Sequence, residues 1–112
     1  MRPTMLTRRL TLEEVTRQPD NAGGYTESWS ELGTHWAEIS SGTGRAREVP
    51  AATMSYVPYR ITIRAAPVGS PSRPKPGQRF RDGSRLFRIE AVADGFRGGF
   101  YLECFAKEEV LS

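Results

Sequence analysis

At 112 residues the chain has room for one domain and one core, since independent domains commonly run to about 100–150 residues. A hydrophobic fraction of 38% and a mean hydropathy of −0.52 imply a small core inside long polar loops, or apolar surface completed by neighbouring subunits. Sixteen Lys and Arg against thirteen Asp and Glu give a net charge of +3, which suits work near a polyanion but falls below the density of a dedicated nucleic-acid binder; a single Cys excludes an internal disulfide and a cysteine-rich metal site.

The N-terminal "MRPTMLTRRLTLEE" carries positive charge but no apolar segment or small-residue cleavage site of the secretory kind. No apolar run approaches the roughly 20 residues of a membrane-spanning helix, so the expectation is synthesis in the cytoplasm and no membrane contact. In "LTLEEVTRQ", Thr11 and Glu14 have the spacing of a capping box, yet Leu10, Thr11 and Leu12 also alternate as a strand. The strand reading is preferred because Pro19 to Gly24 then becomes a hairpin connection into "YTESW", with glycines where a Cβ would resist the turn. Trp29 alternates with Tyr25 and Glu27, and Trp36 with Thr34 and Glu38, leaving Ala37 and Ile39 on the other face. One tryptophan is expected to close the core and the other to lie on a face open to a partner.

"SSGTGRAREVPAATMSYVP", Ser40 to Pro58, resists regular structure apart from an optional short helical turn at Arg45 to Val49. "YRITIRA" then alternates, with Tyr59, Ile61, Ile63 and Ala65 on one face and Arg60, Thr62 and Arg64 on the other. "APVGSPSRPKPGQ", Ala66 to Gln78, is a second long loop; loops of this length are commonly functional or disordered. Asp82-Gly83, between "QRFR" and "SRLFRI", reads as a type I′ hairpin turn. In "RLFRIEAV" the inward set is Phe87, Ile89 and Ala91, although Leu86 and Val92 give the second face apolar character. Gly95, Gly98 and Gly99 mark a looser connection into "GFYLECF", which is apolar on both faces: Phe100, Leu102 and Cys104 against Tyr101 and Phe105. A strand buried on both sides fits a closed barrel or a sheet covered by a partner.

The expected fold is therefore all-β: one domain over 1–112, a small antiparallel β-barrel or sandwich, with long loops at about 40–58 and 66–78. Catalytic chemistry has little to stand on. His35 is the one histidine, and no G-x-S-x-G, H-E-x-x-H or C-x-x-C signature accompanies it. Cys104 reads as a small buried hydrophobe. The pairs Glu13-Glu14 and Glu108-Glu109 point to opposite faces of a strand, a poor arrangement for acid–base work. "GTGRA" lacks the lysine and Ser/Thr of a phosphate loop. No cofactor or metal is implied. Arg45 and Arg47 in the first loop, and Arg73, Lys75 and Arg79 in or near the second, are candidates for phosphate contacts without base readout, or simply solvated charges.

Taken in order, "RRLTLEEV", "DNAGGYTESW", "HWAEIS", "YRITIR", "SRLFRIEAV" and "YLECFAKE" resemble the head-closure proteins of long-tailed bacteriophages, also called head–tail adaptor, joining or stopper proteins, and their counterparts in phage-derived gene transfer agents. The most specific elements are Asp20 with Gly23, Gly24 and Trp29, then Trp36 and Ala37 with Ile39, then the strand ending in Arg64. The resemblance implies a non-catalytic virion protein: a β-barrel forming a ring, typically sixfold, between head-side adaptor or portal connector proteins and the tail terminator or other tail proteins. Such a ring closes the channel on packaged double-stranded DNA and offers the surface on which the tail docks. It also implies that the loop Ser40 to Tyr56 projects toward the channel or neighbouring subunits, with Arg45 and Arg47 as the candidates nearest DNA. Two alternatives carry different expectations: a small basic nucleic-acid-binding β-barrel with salt-sensitive affinity, and a tail-terminator ring.

Overall fold

The computed structural model describes residues 3–41, 54–96 and 98–111. Six antiparallel strands carry the chain: β1 (Arg8–Pro19), β2 (Tyr25–Ser41), β3 (Met54–Arg64), β4 (Arg79–Asp82), β5 (Arg85–Phe96) and β6 (Tyr101–Leu111). They pair in the order β1-β2-β3-β6-β5-β4, and β4 returns to β1 to close a barrel. The closing seam is short, with only Thr11↔Arg81, Leu12↔Phe80 and Glu13↔Arg79 in register.

Period-2 alternation sends Leu10, Leu12, Ala37, Ile61, Ile63, Phe80, Phe87, Ile89, Leu102, Cys104 and Ala106 into one core, as the alternation of inward and outward side chains along a strand requires. Phe80 and Phe87 face each other across the β4–β5 ladder and are both fully buried. Tyr59 meets Phe87 edge-on, with ring centroids 5.5 Å apart. The lumen is thus filled by side chains, as in other barrels of few strands.

Several expected details shift. The loop predicted over 40–58 is shorter, because β2 continues to Ser41 and β3 starts at Met54. Pro58 hid that start: it pairs with Lys107 on β6, and among the described residues the pairing of β3 with β2 reaches only to Tyr59, so a missing N–H is tolerated there. The optional helical turn at Arg45 to Val49 lies outside the described residues. In β5 the pairing slips between Ile89 and Ala91, a β-bulge that sends Val92 rather than Ala91 against the core. A hairpin turn joins β4 to β5 as expected, but it sits one residue later than Asp82-Gly83 and is of another type. Asp82 pairs with Arg85, the two loop residues are Gly83 and Ser84, and only Gly83 has positive φ, the pattern of a type II′ turn. Phe100 belongs to the β5–β6 turn and is 74% exposed instead of facing inward.

The strand directions sort the connections to two ends. One end holds the β1–β2 turn, the loop 65–78 and the β5–β6 turn. The other holds the Gly83-Ser84 turn and both strands that flank the segment 42–53. The loop 65–78 is packed: Pro74 and Gln78 are buried, Ile89 N–H donates to the Gln78 carbonyl at 2.9 Å and Gly77 N–H to the Ile89 carbonyl at 3.0 Å. Phe87→Ala should remove about 3–5 kcal/mol of stability by leaving a cavity in this core, read as a lower midpoint with unchanged slope in chemical denaturation.

Candidate functional site

Of the family-type residues named from sequence, Asp20, Gly23 and Gly24 form the β1–β2 turn, Trp29 and Trp36 lie on the outer face of the β4–β1–β2 wall, Ala37 and Ile39 face the core, and Arg64 ends β3. At the turn, Asp20 Oδ1 accepts hydrogen bonds from Ala22 N at 2.8 Å and Gly24 N at 2.9 Å, and Asp20 N donates to the Gly24 carbonyl at 3.1 Å. Those backbone donors hold the Asp20 carboxyl below its ordinary value. Gly23 has φ 86, a left-handed conformation open to glycine. Gly24 is needed for space, since a Cβ there would lie 2.9 Å from Asp20 Oδ2.

Beyond the seam with β4, the ribbon formed by Glu14–Pro19 and Tyr25–Ser30 pairs, among the described residues, only with itself, so it stands out from the barrel as an arm. Its base is held by charge. Glu13, 5% exposed, accepts from Arg79 Nε at 2.7 Å and from Arg81 Nε at 2.8 Å. Arg81 Nη2 reaches on to Glu31 at 2.8 Å. The Arg79 guanidinium also stacks on the Trp29 ring, 3.9 Å from its centroid, where a cation over an aromatic face is attracted by the ring quadrupole. Burial works against ionisation of Glu13, but hydrogen bonds from Arg81 and Arg79 and the attraction of both cations outweigh it and keep the carboxyl below its ordinary range.

This cluster corrects the reading of Arg79: it is committed to Glu13 instead of being available to a phosphate. Arg73 is committed too, donating to the Ala66 carbonyl at 3.0 Å and lying 3.6 Å from Asp94. Trp29 and Trp36 both lie on the outer face, not one inside and one outside. Leu12 pairs with Gly33 and Glu13 with Glu31, so one extra residue, Leu32, enters β2 and resets its phase. Gly33, at φ 143, accommodates that bulge. Trp29 is half-buried under Arg79, while Trp36 is 57% exposed opposite Arg9.

Ala37 is fully buried and pairs with Ile63, and Ile39 pairs with Ile61, both as core residues. Arg64 ends β3 exposed, opposite Tyr101. Arg45 and Arg47 lie outside the described residues.

At the end that flanks 42–53 two ion pairs link neighbouring strands, Arg8 with Asp82 and Arg85 with Glu108 at 2.7 and 3.0 Å. His35 donates from Nε2 to the Ser72 carbonyl at 2.8 Å and meets Phe80 edge-on. Burial pushes its pKa down, against the pull of the Ser72 bond, so it is a neutral packing group. The Cys104 thiol is fully buried and burial pushes its pKa up to about 12, the opposite of an activated nucleophile. Among the described residues no group of three or more His, Cys, Asp or Glu could hold a metal ion, and no helix is long and apolar enough to cross a membrane.

The phage head completion protein family matches residues 1–109. The chain belongs to that family. A chain in the virion of a native gene transfer agent particle is similar along its full length: it is 50% identical, superposes with a TM-score of 0.81, and the match covers 99% of this chain and 100% of that one. No curated protein matches. This head completion protein is thus a virion component with an all-β fold, and its described surfaces are fixed by ion pairs more than by any reactive group.

Glu13→Gln should cost about 3 kcal/mol at neutral pH, the low end for breaking a buried pair because both guanidiniums keep some access to water. The Glu13 carboxyl is held below its ordinary value, so its stabilising effect is complete above that value, 4.5, and fades as pH falls through its own lower value. Urea titrations of both proteins across pH 7 to 2 should therefore show the gap closing only in acid. Cys104 should react with a thiol reagent at the rate of unfolding, and faster labelling in native buffer would contradict its burial.

Proposed function

We propose that this head completion protein forms a ring at the head–tail junction, a hexamer if the family pattern holds, that closes the DNA channel after packaging and gives the tail its docking surface. Its neighbours in this reading are the head-side adaptor or portal connector, the tail terminator or tail proteins, and the packaged double-stranded DNA. The observation that carries the reading is family membership over 1–109 together with full-length likeness to a gene transfer agent virion chain at 50% identity.

The filled lumen fits it. A barrel packed with Phe80, Phe87, Leu10 and Leu12 cannot conduct DNA, so the channel runs between copies. The segment 42–53, with Arg45 and Arg47, is the part assigned to that channel, where arginines contact phosphates without reading bases.

A free-standing nucleic-acid-binding barrel is less well supported. Arg8, Arg17, Arg60, Arg73, Arg79, Arg81, Arg85, Arg88 and Lys107 all lie in ion pairs, which spends on carboxylates the charge that phosphate binding would need.

Quantitative mass spectrometry of purified particles should give one ring of copies, about six, since closed cyclic symmetry fixes a small integer; absence of the chain from particles would overturn the reading. Deleting Gly42 to Val49 should leave a folded protein but yield particles that lose DNA or fail to join tails. Normal numbers of filled, tailed particles would remove the channel role of the segment.

A further inference from the structure

Among the described residues the arm has no third strand beside it, and Arg79 on Trp29 holds only its base. An isolated two-stranded ribbon is marginal in water, and this one leaves both edges unpaired beyond Glu13 and Ser30. Its outward face carries Tyr25, 71% exposed, with Glu27 and Trp29 at the following alternate positions. Its charge is mainly acidic: residues 14–30 hold three carboxylates (Glu14, Asp20 and Glu27) against Arg17, and the Arg17–Glu27 contact across the ribbon, at 3.4 Å, is an exposed pair of the kind that holds weakly in water.

A complementary surface lies at the same end of the barrel. An open cleft of about 610 Å³ is lined by Ala65, Ala66, Pro67, Val68 and Leu102, with Arg73 and Asp94 in its wall. Val68, 82% exposed, and Phe100 project beside it. Arg64 and Lys75, both exposed, belong to the elements that border this cleft, and neither makes an ion pair with another of the described residues.

Position around the barrel matters as much as chemistry. In the closed order β1-β2-β3-β6-β5-β4, the arm rises from β1 and β2, and the cleft lies over β3, β6 and β5. The two are at the same end of the barrel, on different flanks. Cyclic symmetry keeps like ends level and joins one flank of a subunit to a different flank of the next, a heterologous contact that closes on itself.

We infer that the arm of one copy seats on the cleft of a second copy, with Tyr25 against Val68 and Phe100 and the carboxylate of Glu27 facing Arg64 and Lys75. The contact makes the arm a clasp between adjacent subunits and gives the ribbon the third element that it lacks. This rests on the ring reading above.

The buried Cys104 makes a clean test possible, because cysteines placed at the surface become the reactive pair. Particles carrying Tyr25→Cys with Val68→Cys, oxidised and run on a non-reducing gel, should give a ladder in steps of 12.5 kDa. Each single-cysteine variant should give no ladder. A lone monomer band from particles with the normal copy number would overturn the clasp and leave the ring standing, whereas absence of the unaltered chain from particles would overturn both.

Charge supplies a second measurement that does not need a disulfide. Glu27→Arg should lower the copies per particle about tenfold, and adding Arg64→Glu should restore them. An undiminished copy number in Glu27→Arg, or no recovery in the double variant, would also count against the contact.

Discussion

Everything in this molecule depends on closing a barrel with a strand four residues long. β4 offers only three residue pairs to β1, fewer than a seam between long strands would have. The deficit is made good by side chains across the same seam: Glu13 between Arg79 and Arg81 on the outer face, and the Arg8–Asp82 pair at the mouth. Charge-assisted bonds are roughly twice as strong as neutral ones, and placing them at the seam lets a short strand do what a long one would. Phe80 can then occupy the core from β4, and without it the lumen would lack one of its two largest side chains.

The same cluster decides where the barrel ends and the arm begins. β1 and β2 continue past the seam, and Arg79 grips the first turn of that continuation through Trp29. A single arginine therefore serves two neighbours, a carboxylate in the plane of its guanidinium and an indole against its face, a use of its planar geometry that lysine does not offer. The arm thus leaves the barrel from a fixed base, which is what a projecting contact element requires if it is to meet another molecule at a set angle.

What could be read in the sequence follows from which signals are local. "YRITIR", "SRLFRIEAV" and "YLECF" declared strands because alternation is visible in a window of a few residues, and "DNAGG" declared a turn through Asp20, Gly23 and Gly24. The bulges were not legible. An inserted residue such as Leu32 changes the phase of everything after it without changing composition, so Trp29 and Trp36 appeared to face opposite ways, and Ala91 appeared to face inward. Nor was the seam legible: Glu13 and Arg79 are 66 residues apart, and nothing near either announces the other. Arg79 consequently looked like a loop cation. Met54 to Pro58 was hidden by its proline, a residue that local pattern assigns to a loop. Of the site residues, Asp20, Gly23, Gly24, Ala37 and Ile39 have roles that their local pattern implied, whereas that of Trp29 required the closed barrel to be seen.

The lone thiol has a bearing on the life of the particle. A virion forms in the reducing interior of a cell and later meets an oxidising medium, and proteins with accessible thiols can record that passage as disulfides or oxidised sulfur. Cys104 stands behind a closed wall, flanked along its strand by Leu102 and Ala106, with its thiol held protonated. Its sulfur contributes volume to the core and little else, so the folded subunit is the same object on both sides of the host envelope.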